Sequence, residues 1–143
     1  MRYQGRMTSS SSSFDFWPSS RACPCGSGEP FGRCCRPRLT GDAPARTAEA
    51  LMRSRYTAFV LRGEAYLLAT WHPSTRPASL GLREEDGPAW LGLTVRRARG
   101  GPSDTRGTVE FVARFRGGTL HETSTFRREE GRWFYVDGDI HAG

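Results

Sequence analysis

From Thr47 onward apolar side chains return every three or four residues, at Ala48, Leu51, Met52, Tyr56, Phe59 and Val60. That spacing predicts an amphipathic helix ending near Gly63. Arg55 breaks the pattern. At about 100° per residue it projects within the arc of Leu51, Ala48 and Phe59, and an arginine facing a core needs a carboxylate, a carbonyl cluster or a bound anion. A second, short helix is expected around Tyr66, Leu67, Leu68 and Trp71, stopping at His72-Pro73.

Beyond Pro88 the period falls to two, predicting strands near residues 90–97, 108–116, 119–128 and 133–136 separated by Gly- and Pro-containing turns. Gly117-Gly118 is suited to a two-residue hairpin loop. It would pair Phe115 with Leu120, Ala113 with Glu122, Phe111 with Ser124 and Val109 with Phe126. Glu122 and Ser124 then stand on an apolar face, where a lone carboxylate is costly, so they require a partner or a solvent-filled pocket. The next turn, at Glu130-Gly131, leaves the register open by one residue, which decides whether Asp137 or Val136 faces inward. Helices followed by an antiparallel meander imply an α+β domain, with the helices packed on one side of a curved sheet.

The cysteines lie elsewhere. All four fall between Cys23 and Cys35 in the spacing C-x-C-x8-C-C. Neighbouring Cys34 and Cys35 cannot bridge each other without strain, and no C-x-x-C redox pair is present. Arg2 and Arg6 are not followed by the apolar stretch of about 7–15 residues that a secretion signal needs. No run of about 18 apolar residues predicts a membrane span. A reducing cytoplasmic location is therefore expected, where disulfides are disfavoured. Four thiolates instead suit tetrahedral Zn²⁺ at Cys23, Cys25, Cys34 and Cys35, with iron or redox-active thiols as the alternatives. Gly26, Gly28 and Gly32 would permit the backbone torsions that close the loop, and Phe31 would cover one side.

Length and charge refine this organisation. The 143 residues allow one ordinary domain and a small appendage. The serine run from Ser9 to Ser13 marks residues 1–20 as a disordered tail, with a zinc module at 21–38, a linker at 39–46 and the main domain at 47–140. With a core of its own, that domain is expected to survive chelation better than the head. The net charge is +6 with no lysine, and the first 38 residues hold six arginines against Asp15 and Glu29. A basic head suits an acidic protein face, RNA or the ribosome, or anionic lipid, with Arg33, Arg36 and Arg38 as contacts.

CPCGSG followed by CC resembles the SEC-C motif, whose ligand positions fall on Cys23, Cys25, Cys34 and Cys35; the resemblance implies a small zinc module that docks to macromolecules. LMRSRYTAF, TWHPSTRP, WLGLTV, EFVARFR and GRWFYVDG, read from Leu51 to Gly138, resemble the YchJ-like bacterial family. That likeness implies a cone-shaped, nuclear transport factor 2-like fold without a firmly assigned activity. A cone of this kind often holds small molecules. Arg55, Tyr56, Trp71, His72, Glu122, Ser124 and Asp137 are the candidates to line such a pocket around an unknown small ligand. Arg55 would grip an anion there, and Glu122 or His72 would move a proton. The plainer expectation is a buried Arg55–Glu122 pair holding helix to sheet. Recruitment through the basic zinc head is preferred to catalysis, because no nucleophile–base–orienter set is visible.

Overall fold

The two-residue rhythm builds four antiparallel strands, β1 (Trp90–Arg99), β2 (Arg106–Phe115), β3 (Gly118–Glu129) and β4 (Arg132–Ile140), in the spatial order of the sequence. The computed structural model describes residues 17–82 and 89–141. Ahead of the sheet come a 3₁₀ turn at Phe31–Arg33 and three helices, α1 (Arg36–Thr40), α2 (Ala48–Val60) and α3 (Glu64–Ala69). Thr47 caps α2, its hydroxyl accepting the Ala50 N–H at 3.0 Å. The apolar stripe of α2 (Ala48, Leu51, Met52, Tyr56, Ala58) shares one core with Val109, Phe111, Ala113, Phe126 and Trp133 of the sheet. The α+β architecture, with helices on one side of an antiparallel meander, is as the patterning implies.

Three details differ from expectation. The β2–β3 loop is Arg116-Gly117, so Phe115 opposes Gly118, Ala113 opposes Leu120, Phe111 opposes Glu122 and Val109 opposes Ser124. Gly117, at φ +102°, takes the left-handed position of the turn. The offset from the expected register is two residues, an even number, so every side chain keeps its predicted face. In β4 the Glu130-Gly131 loop has positive φ at both positions, as a tight hairpin requires. A bulge follows, between the partners of Thr125 and Phe126. It leaves Val136 as the extra residue, so Tyr135 faces the core beside Phe126, while Asp137 lies opposite exposed Thr125 and is itself exposed. Asp137 is thus not a pocket residue.

The third difference lies after α3, which ends before Trp71. Trp71 and its neighbours run alongside β4 as a short parallel bridge, with Tyr135 N–H donating to Thr70 O (2.8 Å) and His72 N–H to Tyr135 O (2.7 Å).

The head is not a separate bead. Phe31, the four cysteines, Leu39 and Ala45 belong to the same apolar cluster as α2 and the sheet. Leu39 and Ala45 thus anchor the stretch expected to be a linker. Trp17 packs on that cluster and donates from Nε1 to Ala22 O at 2.8 Å, which makes residues 17–20 part of the head. The rest of the expected tail, residues 1–16, lies outside the described residues.

Candidate metal centre

The loop carrying the cysteines is closed by backbone hydrogen bonds, Cys23 N–H to Glu29 O (2.9 Å) and Phe31 N–H to Arg21 O (2.8 Å). Gly26 and Gly28 hold the expected left-handed torsions, at φ +80° and +89°. Gly32 does not; its role is close approach, since a Cβ there would stand 2.7 Å from Ser19 Cβ. Phe31 is fully buried beneath the loop, as expected of a covering ring.

All four cysteines are buried, and their sulfurs lie within 4.8 Å of one another. Ligands about 2.3 Å from a tetrahedral zinc ion stand about 3.8 Å apart. The Cys25 and Cys34 sulfurs are 3.6 Å apart, so the donor set fits a four-thiolate metal with little movement. Around the sulfurs sits a hydroxyl shell of the sort that orients metal ligands. Ser27 Oγ lies 3.1 Å from Cys34 Sγ, while Thr57 of α2 donates to Cys35 Sγ at 3.3 Å and lies 3.8 Å from Cys23 Sγ. Arg53, also on α2, donates to Cys25 O at 2.8 Å. Hydrogen bonding among the thiols divides them. Cys23 and Cys35 pull Cys25 well below the ordinary thiol range, and Cys35 brings Cys34 down to about 6, whereas bonding with Cys25 pushes Cys23 up to about 11. Bonding with Cys23, Cys25 and Cys34 likewise pushes Cys35 up, so two of the thiols are favoured as thiolates and the other two as their donors.

On the inner face of the sheet, Arg55 is 4% exposed, and burial lowers its pKa to about 10. Glu122 is not its hydrogen-bond or ion-pair partner. Nη1 of Arg55 donates to Leu67 O and to Thr70 Oγ1, both at 2.7 Å, and the guanidinium carbon lies 4.6 Å from the Tyr135 ring centre and 5.2 Å from that of Trp71. Two ring faces and a helix-end carbonyl thus take the place of the expected carboxylate. Glu122 is near enough to act on Arg55 only through space, and its Oε2 accepts from Ser124 Oγ at 2.8 Å. That carboxylate rests over Gly138, where a Cβ would collide with it.

The pocket candidates therefore separate. Arg55, Trp71, Glu122 and Ser124 gather with Tyr135, which the alternation of Trp133 and Tyr135 along β4 would have revealed. Tyr56 points to the β1 end instead, its ring edge-on to Trp90 at 5.9 Å. His72 turns to the opposite side of the β4 edge. There its Nε2 meets Glu129 Oε2 at 3.0 Å and its Nδ1 meets Ser74 Oγ at 2.7 Å, because residues of the bridging segment alternate about Trp71. Neither Tyr56 nor His72 lines the Arg55 cluster.

Residues 22–37 match the SEC-C motif, and residues 47–138 match the family model described as the YchJ middle NTF2-like domain. The chain belongs to the YchJ-like family. A relative from Chromobacterium violaceum, called a UPF0225 protein, is 56% identical, the match covering 82% of this chain and 91% of that one. One from Streptomyces coelicolor is 52% identical, covering 82% and 94%. Among solved structures, the SEC-C motif containing protein RPA3114 of Rhodopseudomonas palustris superposes with a TM-score of 0.72 at 37% identity, covering 85% of this chain and all of that one. A SEC-C motif containing protein from Psychrobacter arcticus gives 0.68 at 28%, covering 87% and 85%.

Within this YchJ-like chain the proposed contact arginines differ from one another. Arg33 is exposed, Arg36 half-buried. Arg38 is turned back on the head, with Nη1 donating to Cys34 O and Nε buried without a hydrogen-bond partner among the described residues. It supports the cysteine loop more than it offers a contact. Between α1, the α2–α3 corner and the start of β4 runs a groove of about 1100 Å³, bordered by Arg36, Arg38, Arg62 and Arg132 with Asp42 and Glu64. Joining residues from 36 to 134, this groove was not legible in any single segment.

Proposed function

We propose that this YchJ-like chain is a zinc-binding recruitment protein, in which a metal-locked head supports a basic docking surface for an acidic macromolecule. The observation that carries the metal assignment is the buried set of four sulfurs within 4.8 Å of one another, with Ser27 and Thr57 hydroxyls beside them. Zinc bound there would cross-link residues 23–35 and supply no redox chemistry. Thr57 and Arg53 bind the cysteine loop to α2, so the head is oriented rigidly on the cone. Thiolate ligation fits a reducing, cytoplasmic setting, and no described helix is long and apolar enough to cross a membrane.

The basic groove at the junction supports the docking reading, because guanidinium groups hydrogen-bond phosphates and carboxylates in bidentate fashion. Elemental analysis of protein purified without chelator should find at least one zinc per chain. Metal content unchanged by combined Cys23→Ser and Cys34→Ser would overturn the assignment. For docking, pull-downs from host lysate should compare the intact chain with Arg33→Ala/Arg36→Ala. Capture of RNA, of acidic protein or of anionic lipid is expected to weaken with salt and with the substitutions. For RNA the slope of log K against log salt is about −0.7 for each phosphate neutralised, so removing these arginines should flatten it. Partners that are indifferent to both would reject recruitment through the head.

The inner-face cluster favours a second reading, in which the cone binds a small polar ligand. Arg55 is a buried cation without an ion-pairing carboxylate, and Tyr135, Ser124 and Glu122 offer hydrogen-bonding groups beside it. Co-purification of a small molecule with the wild-type chain but not with Tyr135→Phe or Ser124→Ala would support this reading, and retention by both variants would count against it.

A further inference from the structure

A second group of metal-ligating side chains lies on the outer face of the sheet, away from the cysteines. Glu110 takes an outward position in β2 and His121 an outward position in β3. Because Glu110 opposes Thr123, His121 sits on its diagonal, and His121 Nε2 comes within 2.7 Å of Glu110 Oε2. His141 follows β4 immediately. Its backbone N–H donates to His121 O at 2.8 Å, which prolongs the ladder by one step and lays the two imidazoles side by side, ring centres 4.4 Å apart. Thr123 Oγ1, 2.7 Å from His141 Nε2, holds that ring in place.

We infer that Glu110, His121 and His141 form a second metal site, suited to a divalent first-row transition ion and independent of the cysteine centre. One ligand atom from each lies within 4.8 Å of the others. Donors about 2.0–2.2 Å from a tetrahedral ion stand about 3.4 Å apart, so small side-chain rotations bring the three into place. Two imidazoles and a carboxylate are borderline donors that favour zinc, cobalt, nickel or copper over magnesium and calcium, which prefer oxygen alone. Two adjacent imidazoles repel when both are protonated, whereas one shared cation draws all three groups together. Three protein ligands leave a position for water or a small anion. Arg97, 3.8 Å from the other Glu110 oxygen, borders that side.

The test uses the full chain, reduced and saturated with one equivalent of zinc, titrated with Co²⁺. The expected result is one further equivalent bound with a Kd of about 10 µM or tighter, showing visible d–d absorption and none of the thiolate-to-cobalt charge transfer that cysteine ligands give. Excess Zn²⁺ should displace it. His141→Ala, an exposed position beyond the last strand, should weaken cobalt binding by more than the roughly 10–100-fold that losing an outer-shell partner costs, with the circular dichroism of the fold unchanged. Glu110→Gln should weaken it as well. Absence of a further equivalent, a weaker Kd, sulfur charge transfer, or cobalt affinity unaltered by His141→Ala would each overturn the site.

Discussion

The molecule buries two polar centres of opposite character. The head gathers four sulfurs, with the hydroxyls of Ser27 and Thr57 close to them. The cone interior encloses a guanidinium met by a helix carbonyl, a hydroxyl and two aromatic faces, with no carboxylate at ion-pair distance. The first set of groups is a donor set that a metal ion from solution would complete. The second is answered in part by the chain itself, with Leu67 O and Thr70 Oγ1 accepting from Nη1 and the Trp71 and Tyr135 faces supplying electrostatic attraction. Burial alone therefore does not mark a ligand site; what matters is whether the surrounding groups answer the buried charge or polarity.

The largest effect should come from emptying the head. Structural zinc contributes about 10–16 kcal/mol of apparent binding free energy in small sites. Because the cysteines share a core with α2, chelation or Cys35→Ser should disturb the cone as well, contrary to the expectation of an independent main domain. Thermal melts should show the whole chain losing at least about 3 °C, the shift that roughly 1 kcal/mol produces in a chain of this size. An unchanged main transition would restore the picture of a detachable head. Next in size is Arg55→Met, which leaves the Leu67 carbonyl and Thr70 hydroxyl short of a donor. Denaturant unfolding should report a loss of about 1–3 kcal/mol, with metal content untouched. A loss of zinc in that variant would mean the two centres are coupled.

Thr47→Ala removes the cap of α2, the helix that carries Arg53, Arg55 and Thr57 to both centres. A loss of about 1 kcal/mol is expected, felt equally by probes in head and cone. The smallest effect concerns pH. Glu64 accepts the Leu80 and Leu82 N–H groups, and these bonds hold its pKa below the ordinary carboxylate value of 4.5. The stability it lends is thus present above the unfolded-state value and is lost as pH falls through the lower folded one. Amide exchange at Leu80 and Leu82 should accelerate below about pH 4.5 while the centre around Arg55 stays protected. Glu64→Gln should remove the pH dependence.

Periodicity made the fold legible. Faces were assigned correctly even where pairing was not, because the β2–β3 register differs by an even number and a pleated strand cares only about parity. The same error concealed the outer-face cluster: with Ala113 set against Glu122, His121 falls opposite Arg114, too far along the strand to meet Glu110. Asp137 was ambiguous in the sequence because its orientation depends on the Val136 bulge, which no local pattern announces. His72 was misplaced because the bridge between Trp71 and Tyr135 joins residues 64 positions apart. The cysteine cluster, by contrast, needed no long-range information, since its four ligands lie in one loop.

That bridge also bears on how the protein keeps to itself. A sheet with two open sides invites another chain to add a strand. Along β4, Thr70 and His72 occupy backbone groups of Tyr135, and Thr75 Oγ1 takes the Val136 carbonyl at 2.6 Å. That edge is closed by its own chain at the point where the bulge would otherwise present an irregular but open ladder. At the opposite edge, β1 is interrupted twice in its pairing with β2, and Arg97 and Arg99 stand exposed along its second half. Kinks and positive charge discourage a flat, apolar neighbour there. The cover that places Trp71 over Arg55 thus serves as a guard against strand-swapped or fibrillar assembly, and loosening it would trade a local rearrangement for a sticky surface.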